Sequence, residues 1–330
     1  MVRSIPIIIT ALGVLIAGES APAVTADHSS VAKFQSVPAS AILQARSQFN
    51  IFYGHTSHGS QIVTGMAMVR SLDTLYRYNE GSGTLDLEEY GDDLGLYGDT
   101  SWAPITRARL NQPGNNINLV MWSWCGGVSD NSEEGINLYL NTMSKLEQDY
   151  PNVIFMYMTG HLDGTGPTGN LYVRNNQIRA YCQTNNKVLF DFADIESYDP
   201  DGNYFPDAAD DCAWCSDWCT THPCLDCGGC AHSHCLNCHL KGQAFWWLLA
   251  RLTGWQEGPC CDGVRGNVNL SGIVDLADLS ALVSYLTGGG YHLPCADEAN
   301  VNSAGIVDLS DLSALVSYLT GGAYVLPNCP

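Results

Sequence analysis

Apolar positions fall along this chain in two rhythms. Four short runs are almost unbroken: Asn50–Tyr53, Ile117–Trp122, Val153–Met158 and Lys187–Phe192. Between or after them, apolar residues recur at helical spacing over 62–78, 133–149, 175–184 and 240–253. Strands alternating with helices predict an α/β fold, a parallel sheet with helices on both faces. Nearly continuous apolar strands fit burial on both sides. Such sheets bind ligands in the crevice beyond the carboxyl ends of their strands.

Three of these strand ends carry unusual residues. The first run leads into Gly54-His55-Thr56-Ser57-His58-Gly59. The second leads into Ser123-Trp124-Cys125-Gly126-Gly127, and the third into Thr159-Gly160-His161-Leu162-Asp163-Gly164. Glycine lets backbone N–H groups approach a ligand. A serine there attacks a carbonyl carbon once a base takes its proton. The plainer reading of Ser57 is a turn or helix cap, where serine is favoured anyway.

This arrangement resembles the SGNH (GDSL-like) hydrolases, esterases on a flavodoxin-like sheet. The resemblance spans most of residues 45–255. It implies Ser57 as nucleophile, with Gly54 before it and Gly59 after. It implies Gly126 or Gly127 as an oxyanion donor and His161 where the family has an Asn. His232, ahead of the last helix, takes the place of the base. The family's Asp-x-x-His is missing, since Gly229, Ala231 and Leu236 precede His232, His234 and His239 by three. Asp210, Asp211 and Asp226 are the acids at hand, and nothing in the sequence selects one. The implied activity is ester hydrolysis of acyl or acetyl groups on carbohydrate. The alternative is a non-catalytic carbohydrate-binding or surface protein, with Trp102, Trp122 and Trp124 stacking on sugar faces.

The chain ends in a repeat. Asn267–Pro294 recurs as Asn300–Pro327, with five of 28 positions different. Each copy is a polar loop and then a helix, whose Leu276, Leu279, Leu282, Val283 and Leu286 make one apolar face in the first copy. Oxygen side chains fall at loop positions 1, 3, 5, 9 and 12: Asn267, Asn269, Ser271, Asp275 and Asp278. Gly272 stands at position 6, and the carbonyl of Ile273 fills position 7. Calcium takes six to eight hard oxygens in such a loop. The second copy offers Asn300, Asn302, Ile306, Asp308 and Asp311, but Ala304 removes one ligand. The region resembles a type I dockerin, which implies Ca2+ and a cohesin-like or cell-surface partner. The Asn at position 1 in both copies, and Leu276-Ala277 and Leu309-Ser310 after the ninth position, depart from that pattern.

Charge and cysteine usage narrow the setting. With 14 basic and 34 acidic residues the formal charge is −20, which argues against nucleic acid and anionic membranes as partners. Met1-Val2-Arg3, an apolar stretch over Ile5–Ala17 and Ala23-Val24-Thr25-Ala26 predict a signal peptide over 1–26 and a secreted protein without a membrane span. Residues 27–258 then form the α/β domain and 259–330 the dockerin-like module. Fourteen cysteines in an exported chain suggest disulfides, eight of them crowded between Cys212 and Cys238. This Cys-rich insertion, about 207–239, leaves two other readings open. One is zinc, held by Cys212, Cys215, Cys224 and Cys227 with His222, His232 and His234. The other is haem c at Cys235-Leu236-Asn237-Cys238-His239.

Overall fold

The computed structural model describes residues 24–256, 261, 263–289, 291, 293 and 295–329. In chain order it contains β1 (Val24–Ala26), α1 (His28–Lys33), α2 (Ala39–Gln48), β2 (Asn50–Gly54) and α3 (Ser60–Leu72). There follow β3 (Asp86–Tyr90), α4 (Trp102–Leu110), β4 (Leu119–Trp122), α5 (Glu133–Asp149), β5 (Ile154–Met158), α6 (Asn170–Thr184) and β6 (Val188–Phe190). Last come α7 (Phe192–Glu196), α8 (Ala213–Cys219), α9 (Cys235–Leu252), α10 (Leu276–Leu286), α11 (Ala296–Ala299) and α12 (Leu309–Leu319).

The six strands form one all-parallel sheet in the order β1-β6-β5-β4-β2-β3. Ile51 of β2 sits between Leu87 of β3 and Leu119 of β4, and Met156 of β5 pairs Met121 on one side and Val188 on the other. From β2 onward the order is that of a doubly wound sheet, 2-1-3-4-5, with its switch point between β2 and β4. The helices gather in two groups. α1, α2 and α3 pack with α9, while α5 packs with α4 and α6. β2, β4, β5 and β6 are buried almost throughout, as their unbroken apolar runs require.

The elements depart from expectation where polar residues decide. β3 reads Asp-Leu-Glu-Glu-Tyr, too polar to signal a buried strand, and it lies at the sheet edge with Leu87 alone buried. The fourth apolar run stops short, because Asp191 caps α7 by accepting the Asp194 N–H. The helix expected over 62–78 ends at Leu72, where Asp73 starts a separate short turn, its carboxylate accepting the Leu75 N–H at 2.8 Å. Val24–Ala26, inside the predicted signal segment, instead pairs with β6, with Ala26 fully buried. The rest of that segment, 1–23, lies outside the described residues.

Trp102, Trp122 and Trp124 are buried in the core. The indole of Trp122 bonds Thr106 and that of Trp124 bonds the Met158 carbonyl. They form no platform for a sugar. All eight cysteines of the Cys-rich segment pair with one another: 212–215, 219–224, 227–235 and 230–238. Their sulfurs, including both of the C-x-x-C-H motif, are therefore committed to disulfides rather than to zinc or haem.

The repeat forms its own core. Val268, Ala281 and Leu282 pack with their counterparts Val301, Ala314 and Leu315, and Cys261–Cys329 closes the unit. The apolar face is narrower than the spacing suggests. Leu282 is fully buried, but Leu276 is 69 % exposed and Val283 also faces outward. Among the described residues no helix is long and apolar enough to cross a membrane.

Candidate active site

The sheet switch point brings together the ends of β2 and β4. The β2 end carries Ser57 and His58, and the β4 end carries Cys125. Tight packing fixes both turns. A Cβ on Gly59 would collide with the side chains of Ser123, His55 and Tyr53. Gly127 has φ +80°, and a Cβ there would strike the Gly95 carbonyl. Gly126 also lies in the left-handed region, at φ +78°.

His58 is the hub. Its Nδ1 lies 3.2 Å from Cys125 Sγ, and its Nε2 lies 2.9 Å from Asp210 Oδ2. Ser57 Oγ lies 3.0 Å from the same sulfur. The His58 ring stacks between two others: His161 at 3.7 Å between centroids and 3° between planes, and His232 at 4.4 Å and 13°. His58 as a whole is 6 % exposed. Burial holds its pKa below the usual histidine value. The Asp210 hydrogen bond opposes that, and His161 and His232 add to it. That direction favours the neutral imidazole, the form a base requires.

The residues singled out in the sequence do converge, with altered contacts. Among the described residues Ser57 makes no hydrogen bond to a histidine ring; its side-chain partner is Cys125. His161 turns its Nδ1 to its neighbour's carbonyl, Leu162, at 2.8 Å, and lies 4.0 Å from Asp210. His232 is exposed, has φ +59°, and meets the cluster through its ring face. Of the three candidate acids, Asp210 is the one that bonds a histidine of this cluster. His234 caps α9 by accepting the Leu236 N–H, and His222 stacks on Trp218.

A buried network holds the histidine-bearing loops. Lys241 Nζ and Glu196 Oε1 lie 2.7 Å apart with both side chains fully buried. Burial pushes Lys241 down to about 8, against the pull of Glu196. Glu196 also accepts the Leu162 N–H at 2.8 Å, which fixes the turn after His161. Lys241 donates to Gln61, and Gln61 donates to the Ala231 carbonyl at 2.6 Å, next to His232. Disulfides 227–235 and 230–238 clasp the same turn.

His58, Asp210 and His232 could each turn one ligand atom into a common space within 4.8 Å. Their geometry does not suit an ion. A metal lies in the plane of each imidazole that binds it, and these rings are stacked face to face. Both nitrogens of His58 already meet Cys125 and Asp210. The arrangement suits proton transfer between sulfur or hydroxyl and imidazole.

The first loop of the repeat presents oxygens that suit a hard cation. Among the described residues Asn267 Oδ1 is buried and has no hydrogen-bond partner, a hard oxygen at position 1. Asp278 is fully buried, its two oxygens accepting the Asn269 and Asp275 N–H groups at 2.9 and 2.8 Å. Each carboxylate oxygen keeps a second lone pair for a cation. Gly272 takes φ +94°, as the sharp turn at position 6 demands. In the second copy Asp311 holds the same place, accepting from Asn302 and Asp308. Asn300 Oδ1 there is already taken by the Ala304 N–H at 3.0 Å.

No protein-family model matches the chain, and a search of curated proteins finds no match to it.

Proposed function

We propose that this chain is a secreted acyl-ester hydrolase on an SGNH-like sheet, acting on acyl or acetyl groups of carbohydrate. One observation carries the reading: the hydrogen-bonded chain from the Ser57–Cys125 pair through His58 to Asp210. It lies at the switch point of a sheet with flavodoxin-like strand order, where such folds bind their ligands. Asp210 holds the proton on Nε2, so Nδ1 is free to accept one from the nucleophile. Among the described residues the N–H groups of Ser57, His58, Gly59 and Gly126 have no protein acceptor, which leaves them as donors to an oxyanion. The disulfides support an oxidising, extracellular setting.

The C-terminal repeat serves as the dockerin-like docking module in this reading, folded around Ca2+. Its support is a pair of duplicated, exposed apolar residues. Ile273 and Leu276 in one copy, and Ile306 and Leu309 in the other, are 63–80 % exposed. They offer a cohesin-like or cell-surface protein two equivalent patches.

The test is turnover of p-nitrophenyl acetate and of acetylated xylan by the full chain. His58→Ala and Asp210→Asn should each lower kcat/KM by at least about a hundredfold. Wild-type protein inert toward a broad ester panel would end the hydrolase reading.

A further inference from the structure

We infer that Cys125, not Ser57, is the nucleophile of this site, activated by His58; the acyl chemistry assigned to it rests on the hydrolase reading above. The base is in contact with sulfur. His58 Nδ1 faces Cys125 Sγ at 3.2 Å, while Ser57 Oγ reaches that sulfur at 3.0 Å. Among the described residues the Ser57 hydroxyl bonds the sulfur and not the base. A proton leaving Cys125 passes directly to Nδ1.

The chemistry of the two groups agrees with the contacts. A thiol loses its proton near pH 8.5, and the thiolate is an intrinsically strong nucleophile. A serine hydroxyl needs the base to do far more. Once the thiolate forms it can only accept, so the Ser57 O–H, 3.0 Å away, then donates to it and stabilises it. Asp210, bonded to Nε2 at 2.9 Å, stabilises the imidazolium that forms beside it.

The cysteine inventory sets Cys125 apart. Ten described cysteines pair in disulfides with each other. Two are free, Cys125 and Cys182. Cys182 is buried in the core, and burial drives its thiol well above the ordinary range, away from the thiolate form. Cys125 is half-buried at the carboxyl end of a strand, between a hydroxyl and an imidazole. A thiol kept free and accessible in a disulfide-rich chain marks a reactive position.

The reaction balances as hydrolysis. The Cys125 thiol proton passes to His58 Nδ1, and the sulfur adds to the acyl carbon. The acyl C–O bond breaks, the alcohol leaves with the proton from Nδ1, and a thioester remains on Cys125. Water then gives a proton to Nδ1 and adds to the thioester. The C–S bond breaks, the sulfur regains the proton, and the acid departs.

Two measurements on the full chain test this. The first is the rate at which iodoacetamide alkylates Cys125 at pH 7, located by peptide mass spectrometry. It should exceed that of a small free thiol by about tenfold or more and fall to that level or below in His58→Ala, while Cys182 stays unlabelled. Alkylation no faster than a free thiol would overturn the assignment. The second is p-nitrophenyl acetate turnover with acid-quench mapping of the acetyl group. Cys125→Ala should lose at least about a hundredfold, Ser57→Ala about tenfold, and the acetyl group should sit on Cys125. An acetyl group on Ser57, or turnover that survives Cys125→Ala and not Ser57→Ala, would overturn it. Cys125→Ser, with its melting temperature checked, controls for folding. Fast, His58-dependent alkylation without ester turnover would leave the activated thiol standing and remove only the hydrolase reading.

Discussion

Gly65 of α3 and Gly242 of α9 meet backbone against backbone. A Cβ on Gly65 would strike the Cys238 carbonyl, and one on Gly242 would strike Gly65 itself. The contact matters because both helices start at the candidate site. α3 begins just after Ser57 and His58, and α9 just after His232. Gly65→Ala should therefore cost about 1–3 kcal/mol by overpacking. It should also lower ester turnover, since parting the helices parts the stacked rings. Gly91→Ala, where an added Cβ meets nothing, should stay within about 0.5 kcal/mol. Urea unfolding of the two variants compares them directly, and equal stabilities would refute the close-contact argument.

The histidines give stability a pH dependence with a definite sign. Burial holds both His58 and His239 below the usual histidine value. Unfolded histidines take up protons near pH 6.5. Below that pH the unfolded chain binds more protons than the folded one, so stability falls as pH drops and levels off only below the folded pKa values. The loss is up to about 1.4 kcal/mol per pH unit for each residue. Activity should follow, with an acid limb of kcat/KM below the usual histidine range because His58 must be neutral. Urea midpoints at pH 7 and pH 5.5 check the first statement. Equal midpoints would show that these rings are not protected from protonation.

The Lys241–Glu196 pair is the structural pin of the cluster. Lys241→Met leaves the fully buried Glu196 without its cation and should cost about 3–5 kcal/mol. Adding Glu196→Gln removes the stranded charge yet keeps an acceptor for the Leu162 N–H. The double variant should recover most of the loss. If it is no more stable than Lys241→Met alone, the charge is not what the pair contributes.

How much of this was legible in the sequence follows from what each residue answers to. The four core strands were readable because burial on both faces writes an unbroken apolar run. β3 was not, because an edge strand keeps polar residues on its open face, as Glu88 and Glu89 do. Ser57, His161 and His232 were drawn to notice by strand ends and helix starts, and they do lie in one cluster. The central His58 and its partner Cys125 are harder to read from sequence. Their role depends on which strand end lies beside which, and the β2–β4 pairing across the switch point is a long-range fact. One signal was available: Cys125 is a cysteine at a strand end, remote from the crowded cysteines. Asp210 was one acid among three, since only the folded insertion decides which carboxylate reaches His58.

The repeat makes the last prediction, an unequal pair of calcium sites. Position 1 is an asparagine in both loops, but the two amides differ. Asn267 Oδ1 is buried without a partner among the described residues, so a cation would satisfy an oxygen that is otherwise costly to bury. Asn300 Oδ1 already accepts the Ala304 N–H, so a cation there must displace or share that bond. Ser271 adds a hydroxyl that Ala304 lacks. Each loop supplies only two carboxylates, so affinity should match that of extracellular modules, on the order of 0.1–1 mM. Calcium bound to the folded state alone stabilises it by mass action. Calorimetric titration of the full chain should resolve one tighter site. Asp278→Ala should abolish it and most of the calcium-dependent rise in melting temperature, and Asp311→Ala should remove less. Millimolar calcium that leaves the repeat's melting temperature where EDTA puts it would mean that the Cys261–Cys329 disulfide and the shared apolar core hold the unit together without metal.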